Sequence, residues 1–290
     1  MVVPYAPGGG ADVITRALAP IMERVLGQPA VVENRPGGGT ALASTYVAQA
    51  RPDGYTLLMG ATPLAINPAL QPSLTPRDPI RELAPVGPVY RNPFLLHVHA
   101  SLPVRTLGEF ITYAKANPGR VNYGSAGTGT VNHLAFALLA NDAGLEIEHV
   151  PYRGSAPALL DLRANRVQAM FSSALEAQPL LQEGVTRALA VSSATRLPLF
   201  PDVPPVADTA RGFDVAFWQG LFAPVGTPDA VIARLAEALR AGTGDPELRR
   251  RMSEQGVELM VGGPADLARM LAEETRVWAR VVRDANIRVD

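Results

Sequence analysis

The sequence predicts an α/β fold with a largely parallel sheet. Short apolar runs at 2–5, 30–33 and 55–59 alternate with two segments of helical periodicity in the first sixty residues. Strands that alternate with helices are typical of βαβ units and so of parallel sheets. The chain has 290 residues, of which 47% are hydrophobic, so it can bury a sizeable core. Chains of this length more often form two lobes than one.

The alternation resumes after residue 90. Thr106 and Glu109 have the spacing of a capping box that begins a helix, and Ser155 is the expected cap of a later helix. Two proline-rich segments, 79–88 and 197–206, interrupt the pattern. The remaining predicted strands are 94–98, 121–123, 147–150, 167–171, 188–191 and 215–218, and the remaining predicted helices are 131–139, 156–164, one through Leu180, one from about 227, and a long amphipathic helix at 264–285.

Three glycine-rich loops each follow a predicted strand and precede a predicted helix. They are 5–11, 34–40 and 123–130, and the third also carries hydroxyl side chains. A helix that begins after such a loop leaves unpaired N–H groups at the positive end of its dipole, where anions bind. The alternative is that each glycine run is only a tight βα turn. Three such loops favour a small anion, most plausibly a carboxylate, as the ligand.

Composition and motifs exclude several function classes. The net charge is −1, and the longest basic cluster is 249–251, so a nucleic-acid partner is not expected. Cysteine is absent, the four histidines lack the spacing of a metal site, and neither a nucleophile elbow nor a P-loop is present. We therefore expect no cofactor, no metal and no enzymatic activity.

The sequence shows neither a membrane-spanning stretch nor a signal-peptide pattern. No apolar stretch approaches the ~20 residues that span a bilayer, and location cannot be read from the N-terminal residues. Because the chain opens within an apparent strand, we expect that its natural N-terminus has been cut back or misassigned.

Six motifs resemble one known family in the right order along essentially the whole chain. The sequence is similar to the substrate-binding proteins of tripartite tricarboxylate transporters, the Bug or TctC family. The motifs are Pro4-Tyr5-Ala6-Pro7-Gly8-Gly9-Gly10-Ala11-Asp12, Val32-Glu33-Asn34-Arg35-Pro36-Gly37, Pro52-Asp53-Gly54-Tyr55-Thr56-Leu57, Tyr123-Gly124-Ser125-Ala126-Gly127, His149-Val150-Pro151-Tyr152-Arg153-Gly154-Ser155-Ala156-Pro157-Ala158 and Gly220-Leu221-Phe222-Ala223-Pro224.

The resemblance implies a type II-like periplasmic binding protein with two α/β lobes joined by crossover strands. Residues 1–98 and 215–290 would form the first lobe and residues 99–214 the second. A small organic carboxylate would bind in the cleft between the lobes, which close by a hinge motion. The resemblance further implies a periplasmic, monomeric protein that delivers its ligand to the permease subunits of a tripartite tricarboxylate transporter. A sensory protein that reports the same carboxylate to a receptor kinase remains the alternative.

The resemblance also indicates which residues contact the ligand. In the first lobe the glycines would let the backbone approach a carboxylate, and Gly9 is a candidate for a positive φ. Asp12 is expected to act as a favourable helix charge, and direct contact by the 36–40 loop is left open. The predicted ligand-binding residues are Tyr5, Ala6, Gly8, Gly9, Gly10, Ala11 and Thr62 in the first lobe, and Ser125, Thr128, Gly129, Thr130, Tyr152, Ser172 and Ser173 in the second.

Four polar positions of the second lobe carry additional expectations. Ser172 and Ser173 stand where family members often have Asp-Asn, which argues for a ligand without an ammonium group. His149 lies within a predicted strand and is expected to be structural, and His133 is a minor candidate for the cleft.

Overall fold

The computed structural model describes residues 1–289 and divides them into two compact units. Unit 1 comprises residues 1–91, 218–252 and 257–279, and unit 2 comprises residues 92–217, 253–256 and 280–290. In chain order the elements are β1 (Val2–Val3), α1 (Gly10–Leu26), β2 (Glu33–Asn34), α2 (Ala41–Ala48), β3 (Leu58–Ala61), α3 (Pro63–Leu70), α4 (Pro79–Glu82), β4 (Leu83–His99), α5 (Leu107–Ala116), β5 (Asn122–Ser125), α6 (Val131–Ala143), β6 (Glu148–Pro151), α7 (Ser155–Arg163), β7 (Ala169–Ser173), α8 (Ala174–Gln182), β8 (Thr186–Val191), β9 (Ala216–Pro224), α9 (Asp229–Thr243), α10 (Pro246–Ser253), β10 (Glu258–Leu259) and α11 (Pro264–Asp284).

Unit 1 is built on a mixed sheet. β1 pairs in parallel with β2 and β3, whereas β9 runs antiparallel to β3 and β10 antiparallel to β4. α1 buries Ile14, Leu18 and Met22, which recur every four residues and so form one apolar face. A Cβ at Gly242 on α9 would lie 2.8 Å from Leu18 Cδ2, so glycine permits a close approach of the two helices.

Unit 2 has a sheet with a parallel centre and an antiparallel flank. β5 pairs in parallel with β6 and β7, and β4 pairs antiparallel with β7 and β8. The central strands β5 and β7 are largely buried, as strands inside a sheet with helices on its faces are. Because β5 and β6 are parallel neighbours, the loops that follow them emerge at the same edge of this sheet.

The structure confirms the α/β class and corrects several details. The sheets are mixed, because β4 and β9 enter antiparallel to their neighbours, whereas a largely parallel sheet is expected from the sequence. The segment 79–88 contains α4 and the start of β4 and is not only an interruption. The cap of α7 is Gly154, with a φ of 108°, and Ser155 is already helical.

The units differ from the lobes that the resemblance implies. The chain leaves unit 1 after residue 91 and re-enters it at 218, close to the implied lobe bounds at 98 and 215. Residues 280–290 group with unit 2, although the predicted first lobe includes them. Among residues 1–289, no helix is both long enough and apolar enough to cross a membrane.

Two facing glycines make room for large side chains in the sheet of unit 1. Gly60 on β3 is paired with Gly220 on β9. A Cβ at Gly60 would lie 2.5 Å from Leu64 Cδ1, and a Cβ at Gly220 would lie 2.5 Å from Leu267 Cδ1. Side chains in a packed core cannot yield by an ångström without strain, so both positions require glycine.

We predict that Gly220→Val lowers the free energy of unfolding by about 1–3 kcal/mol, the usual cost of overpacking a core. Gly108→Ala on α5 is the matched control, because nothing lies within 4 Å of a Cβ there. The control should raise the free energy of unfolding by about 0.4–1 kcal/mol. Urea denaturation followed by circular dichroism measures both. An unchanged midpoint for Gly220→Val would contradict this account of the sheet.

Candidate functional site

The first glycine loop leads into α1 and leaves helical N–H groups without a partner. α1 begins at Gly10, and its cap, Gly9, has a φ of −73° and no side chain to offer. Within the described residues, the N–H groups of Gly9, Gly10 and Ala11 have no hydrogen bond assigned. Gly9 and Gly10 are exposed and Ala11 is buried, and all three N–H groups lie at the positive end of the helix.

The positive φ in this loop belongs to a different glycine from the one predicted. Gly8 has a φ of 82°, whereas the φ of Gly9 is negative. A substitution at Gly8 is therefore strained by the backbone itself, and one at Gly9 is not.

The carboxylate of Asp12 holds the loop from within α1. Its Oδ2 accepts a hydrogen bond from Gly8 N at 2.9 Å, and both of its oxygens accept from Arg16 Nε. Asn34, at the end of β2, donates its Nδ2 to Asp12 Oδ1 and to the carbonyl of Tyr5. These partners, with Arg16 first, hold the pKa of Asp12 at about 2. The expected helix charge is thus also a structural clamp.

The second glycine loop has a different conformation from the first. Gly37, Gly38 and Gly39 all have positive φ, and so does Thr40, which precedes α2. Gly39 O accepts from Asn67 Nδ2 at 3.0 Å. The two loops share the strand, loop and helix order but not the geometry of the helix entrance.

Thr62, a predicted ligand contact, is bonded to the neighbouring strand. It is fully buried, its Oγ1 accepts from Trp218 N at 2.9 Å, and its amide donates to Trp218 O at 3.2 Å. Its hydroxyl therefore contributes to the end of the β3 and β9 pairing.

In the third glycine loop, after β5, most of the hydroxyl groups form hydrogen bonds within the protein. Ser125 is fully buried; its Oγ accepts from Gly127 N at 3.1 Å and lies 2.6 Å from His149 Nε2. Thr130 occupies the N-cap position of α6 but makes no side-chain cap bond. Its hydroxyl lies 2.6 Å from Gly127 O and bonds to no helical N–H. Thr128 is exposed, and its hydroxyl has no partner assigned within the described chain. The hydroxyls of Ser125, Thr128 and Thr130 are expected to donate to a ligand. Among these three, only the hydroxyl of Thr128 belongs to an exposed residue and has no hydrogen bond assigned.

The start of α6 nevertheless offers backbone donors. The N–H groups of Thr128, Val131 and Asn132 have no hydrogen bond assigned among residues 1–289, whereas Gly129 N donates to His133 Nδ1 at 3.0 Å. A Cβ at Gly127, whose φ is 139°, would lie 3.2 Å from Tyr152 O. Glycine is therefore required where this loop packs against the turn after β6.

Two histidines form an aromatic stack beneath this loop. The rings of His133 and His149 have centroids 3.8 Å apart at 10°, and Tyr123 stacks on His149 at 4.9 Å and on Phe136 at 4.0 Å. Burial lowers the pKa of His133 to about 3 and that of His149 to about 4, and the neighbouring His149 also lowers the pKa of His133. His149 is structural, as expected, but both histidines contact the loop directly.

The hydroxyl of Tyr152 is hydrogen-bonded to a side chain of α7. Its hydroxyl donates to Asp161 Oδ2 at 2.7 Å, and Asp161 also accepts from Arg166 Nη1. Burial, together with the bond to Asp161, raises the pKa of Tyr152 to about 12.

The turn after β7 contains a carboxylate, although Ser172 and Ser173 themselves are uncharged. Ser172 is buried with its Oγ 2.8 Å from His97 Nε2. Ser173 caps α8 in a full capping box with Glu176, whose Oε2 accepts from both the amide and the hydroxyl of Ser173. The expectation of a ligand without an ammonium group assumes that no acid stands at this turn. Glu176 is an acid at this turn, but its carboxylate is bonded to the cap of α8, and the expectation of a ligand without an ammonium group stays a prediction.

Two cavities lie apart from the exposed loop donors. One of about 500 Å³ in unit 1 is lined mainly by apolar residues such as Met22, Leu26 and Leu235. One of about 400 Å³ in unit 2 lies beside the histidine stack and is also lined by Asn141 and Glu146. Among residues 1–289 no three His, Asp or Glu side chains come together in a way that could hold a metal ion.

Sequence reasoning missed several residues that shape these loops. Asn34, His133 and Glu176 each bond to the loop or cap beside a predicted contact. A signal exists for one of them, because His133, like Asp12, lies four residues after a loop glycine. The role of Asn34 depends on strand pairing, which the sequence does not show.

Comparisons with known proteins converge on one family. The family model described as "Tripartite tricarboxylate transporter family receptor" matches residues 14–287. The solved structure of the periplasmic binding protein BugD is 32% identical, with a TM-score of 0.78 over 99% of this chain and 97% of that one. An R. palustris protein with adipate is 33% identical, with a TM-score of 0.82 over 99% and 97% of the two chains. MatC from Rhodopseudomonas palustris with bound malate is 35% identical, with a TM-score of 0.78 over 97% of each chain.

We predict that the free energy of unfolding falls as the pH falls from 6.5 towards 4. Burial lowers the pKa of His97 from 6.5 to about 3, and its ring nitrogens lie 2.8 Å from Ser172 Oγ and 3.1 Å from Thr186 Oγ1. Between these pH values the unfolded chain binds the proton and the folded chain does not, so acid favours unfolding. At pH 5.5 this single histidine costs on the order of 1 kcal/mol relative to neutral pH.

Urea denaturation at a series of pH values tests this dependence. His97→Gln should reduce the slope by close to one proton, whereas His99→Gln is the matched control on the same strand. Equal slopes for wild type and His97→Gln would mean that His97 does not titrate as its burial requires.

Proposed function

Because the chain belongs to the tripartite tricarboxylate transporter family of receptors, we propose that it captures a small organic carboxylate and delivers it to the permease of such a transporter. The family consists of periplasmic solute-binding proteins and is not enzymatic, and its members with known ligands include binders of adipate and malate. We propose the periplasm as the location of this chain, on the basis of its relatives.

The observation that carries the proposal is the presence of unpaired N–H groups at the starts of α1 and α6. In each unit a glycine loop leads into a helix of thirteen or more residues whose cap provides no side-chain bond. Anions bind at such ends because the N–H groups and the helix dipole both favour negative charge. We propose that the loop at 5–11 binds one carboxylate and that the loop at 125–130 binds a second polar group of the ligand.

The predicted residues have different roles in this proposal. Gly9, Gly10 and Ala11 donate from the backbone, with Tyr5, Ala6 and Gly8 forming the rest of the loop. Thr128 donates its hydroxyl and its amide. Ser125, Gly129 and Thr130 shape the second loop through their internal bonds. Tyr152, Ser172 and Ser173 support the neighbouring turns and their helices.

A ligand screen tests the proposed function. We expect adipate, malate or another acid from a panel of mono-, di- and tricarboxylates to raise the melting temperature of the purified protein. A ligand at ~100 times its Kd adds about 2.7 kcal/mol to the free energy of unfolding. Amino acids without a second carboxylate and neutral sugars are the controls. Stabilisation by the controls alone, with every carboxylate inactive, would refute the proposal.

Gly10→Pro tests a single backbone donor. Proline is well tolerated at the first helical position, and the preceding Gly9 has a φ of −73° and a ψ of 165°, which suits a residue before proline. The substitution removes the N–H of residue 10, so affinity for the acid found in the screen should fall by about 10- to 100-fold if that group bonds a carboxylate.

Gly10→Ala is the matched control for this substitution. It retains the N–H, and nothing lies within 4 Å of a Cβ at this position. Its affinity by calorimetry should therefore stay near that of wild type. Equal affinities for the proline and alanine variants would show that the N–H of residue 10 is not used.

A further inference from the structure

We propose that Asp12 and His133 are positioning residues that hold the two anion-binding loops in their binding conformation. This inference rests on the proposed function of the loops. Each side chain accepts the N–H of the glycine just before a helix cap, although one acceptor is a carboxylate and the other an imidazole. The ligand would bond the N–H groups that follow, and these side chains would not touch it.

The geometry of the two clamps is the same. Gly8 has a φ of 82° and Gly129 a φ of 79°, and each immediately precedes the cap of its helix. Asp12 and His133 each stand at the third helical position and accept from the glycine four residues earlier, at 2.9 and 3.0 Å. A bond between these positions fixes the direction in which the chain enters the helix.

A residue from the neighbouring parallel strand supports each clamp. In unit 1, Asn34 at the end of β2 bonds both Asp12 Oδ1 and the carbonyl of Tyr5, where the loop begins. In unit 2, His149 on β6 stacks on His133 and lies 2.6 Å from Ser125 Oγ, where that loop begins. Each support therefore connects the first residue of a loop with the helix that follows it.

The clamp leaves specific donors for a ligand. It uses the N–H of the glycine with positive φ. The donors that remain at the caps and first helical positions are the N–H groups of Gly9, Gly10 and Ala11 in unit 1 and of Val131 and Asn132 in unit 2, because Thr130 N at the cap of α6 donates to Gly127 O. Glycine at positive φ is conformationally free when nothing holds it. Without the clamp, these N–H groups would have to be ordered at the expense of binding energy.

The unit 2 clamp requires an unprotonated His133 Nδ1. The groups that face this ring are His149 from β6, Tyr123 from β5 at 6.2 Å, and Glu146, which lines the same cavity. Burial and the stacked His149 keep the pKa of His133 at about 3, so the lone pair remains available at neutral and mildly acidic pH. A hydrogen-bond acceptor is needed here, and a charge is not.

The test in unit 2 compares His133→Ala with His133→Asn. Asp12 shows that a side chain of this length reaches the glycine N–H from the third helical position, so Asn should restore the acceptor. For the acid found in the screen, calorimetry should show a Kd raised by about tenfold in His133→Ala and within about threefold of wild type in His133→Asn. His99→Ala, on the end of β4, is the matched control and should leave the Kd unchanged.

A second measurement reports on the clamp without a ligand. Amide hydrogen exchange at Gly129, followed by NMR, should accelerate in His133→Ala and recover in His133→Asn. A purely space-filling role for the imidazole predicts no recovery with Asn, and that result would overturn the proposal. Unchanged exchange at Gly129 in a folded His133→Ala would overturn it as well.

The test in unit 1 compares Asp12→Ala with Asp12→Asn. Asn keeps one oxygen acceptor and loses the charge, so it should bind the acid more tightly than Ala does. Asp266→Ala is the matched control, because Asp266 accepts from Gly263 N in the same way at the start of α11. Equal Kd values for Asp12→Ala and wild type would refute the role of Asp12.

The outcomes separate this inference from the proposed function. A wild-type protein that binds none of the carboxylates refutes the proposed function and the positioning role with it. A wild type that binds, with affinities unchanged in both alanine variants, refutes only the positioning role.

Discussion

The structure depends on one constraint, which is that the first N–H groups of every helix have no partner within the helix. Several helices of this chain satisfy some of them with a local side chain. Thr106 accepts from Glu109 N at the start of α5, Ser173 from Glu176 N at α8, and Asp245 from Leu248 N at α10. α1 and α6 lack such a bond. α9, which follows Pro228, also lacks one, so a missing cap does not by itself mark a site. What distinguishes α1 and α6 is that a clamped glycine loop presents the unpaired groups.

This arrangement provides positive potential from backbone N–H groups. Arg16 is the basic side chain bonded to the first clamp, and its guanidinium is paired with Asp12. The donors that we propose for a ligand are backbone groups whose positions are set by the helix and the loop. Such donors favour a small anion of defined shape, because they cannot swing to follow a poorly fitting one as a long basic side chain can. The histidine stack beneath α6 is uncharged at neutral pH and adds no cation to this end.

The sequence predicts those parts of the fold and site that depend on local chemistry. Glycine runs after apolar segments located the loops, and helical periodicity located α1, α6 and α11 close to their observed bounds. The sequence does not predict which residues become hydrogen-bond partners through strand pairing. The bonds from His97 to Ser172 and from His149 to Ser125 join residues 75 and 24 positions apart, and they decide which hydroxyls remain for a ligand. The positive φ of Gly8 rather than Gly9 was also not predictable, because either glycine could adopt it.

The different chemistry of the two clamps follows from their surroundings. The Asp12 carboxylate is buried but lies beside Arg16, whose side chain is about half exposed, so the pair stays charged and its guanidinium stays hydrated. His133 is 5% exposed and stacks on His149, whose ring lies between those of His133 and Tyr123. Among residues 1–289 no basic side chain is hydrogen-bonded to His133. A carboxylate in that aromatic setting would carry an unpaired buried charge, which is far more costly than a neutral acceptor. Imidazole accepts the Gly129 N–H with no charge. In both units the acceptor next to the proposed anion site therefore adds no net negative charge. In unit 1 the charge of Asp12 is balanced by Arg16, and in unit 2 the ring of His133 is neutral.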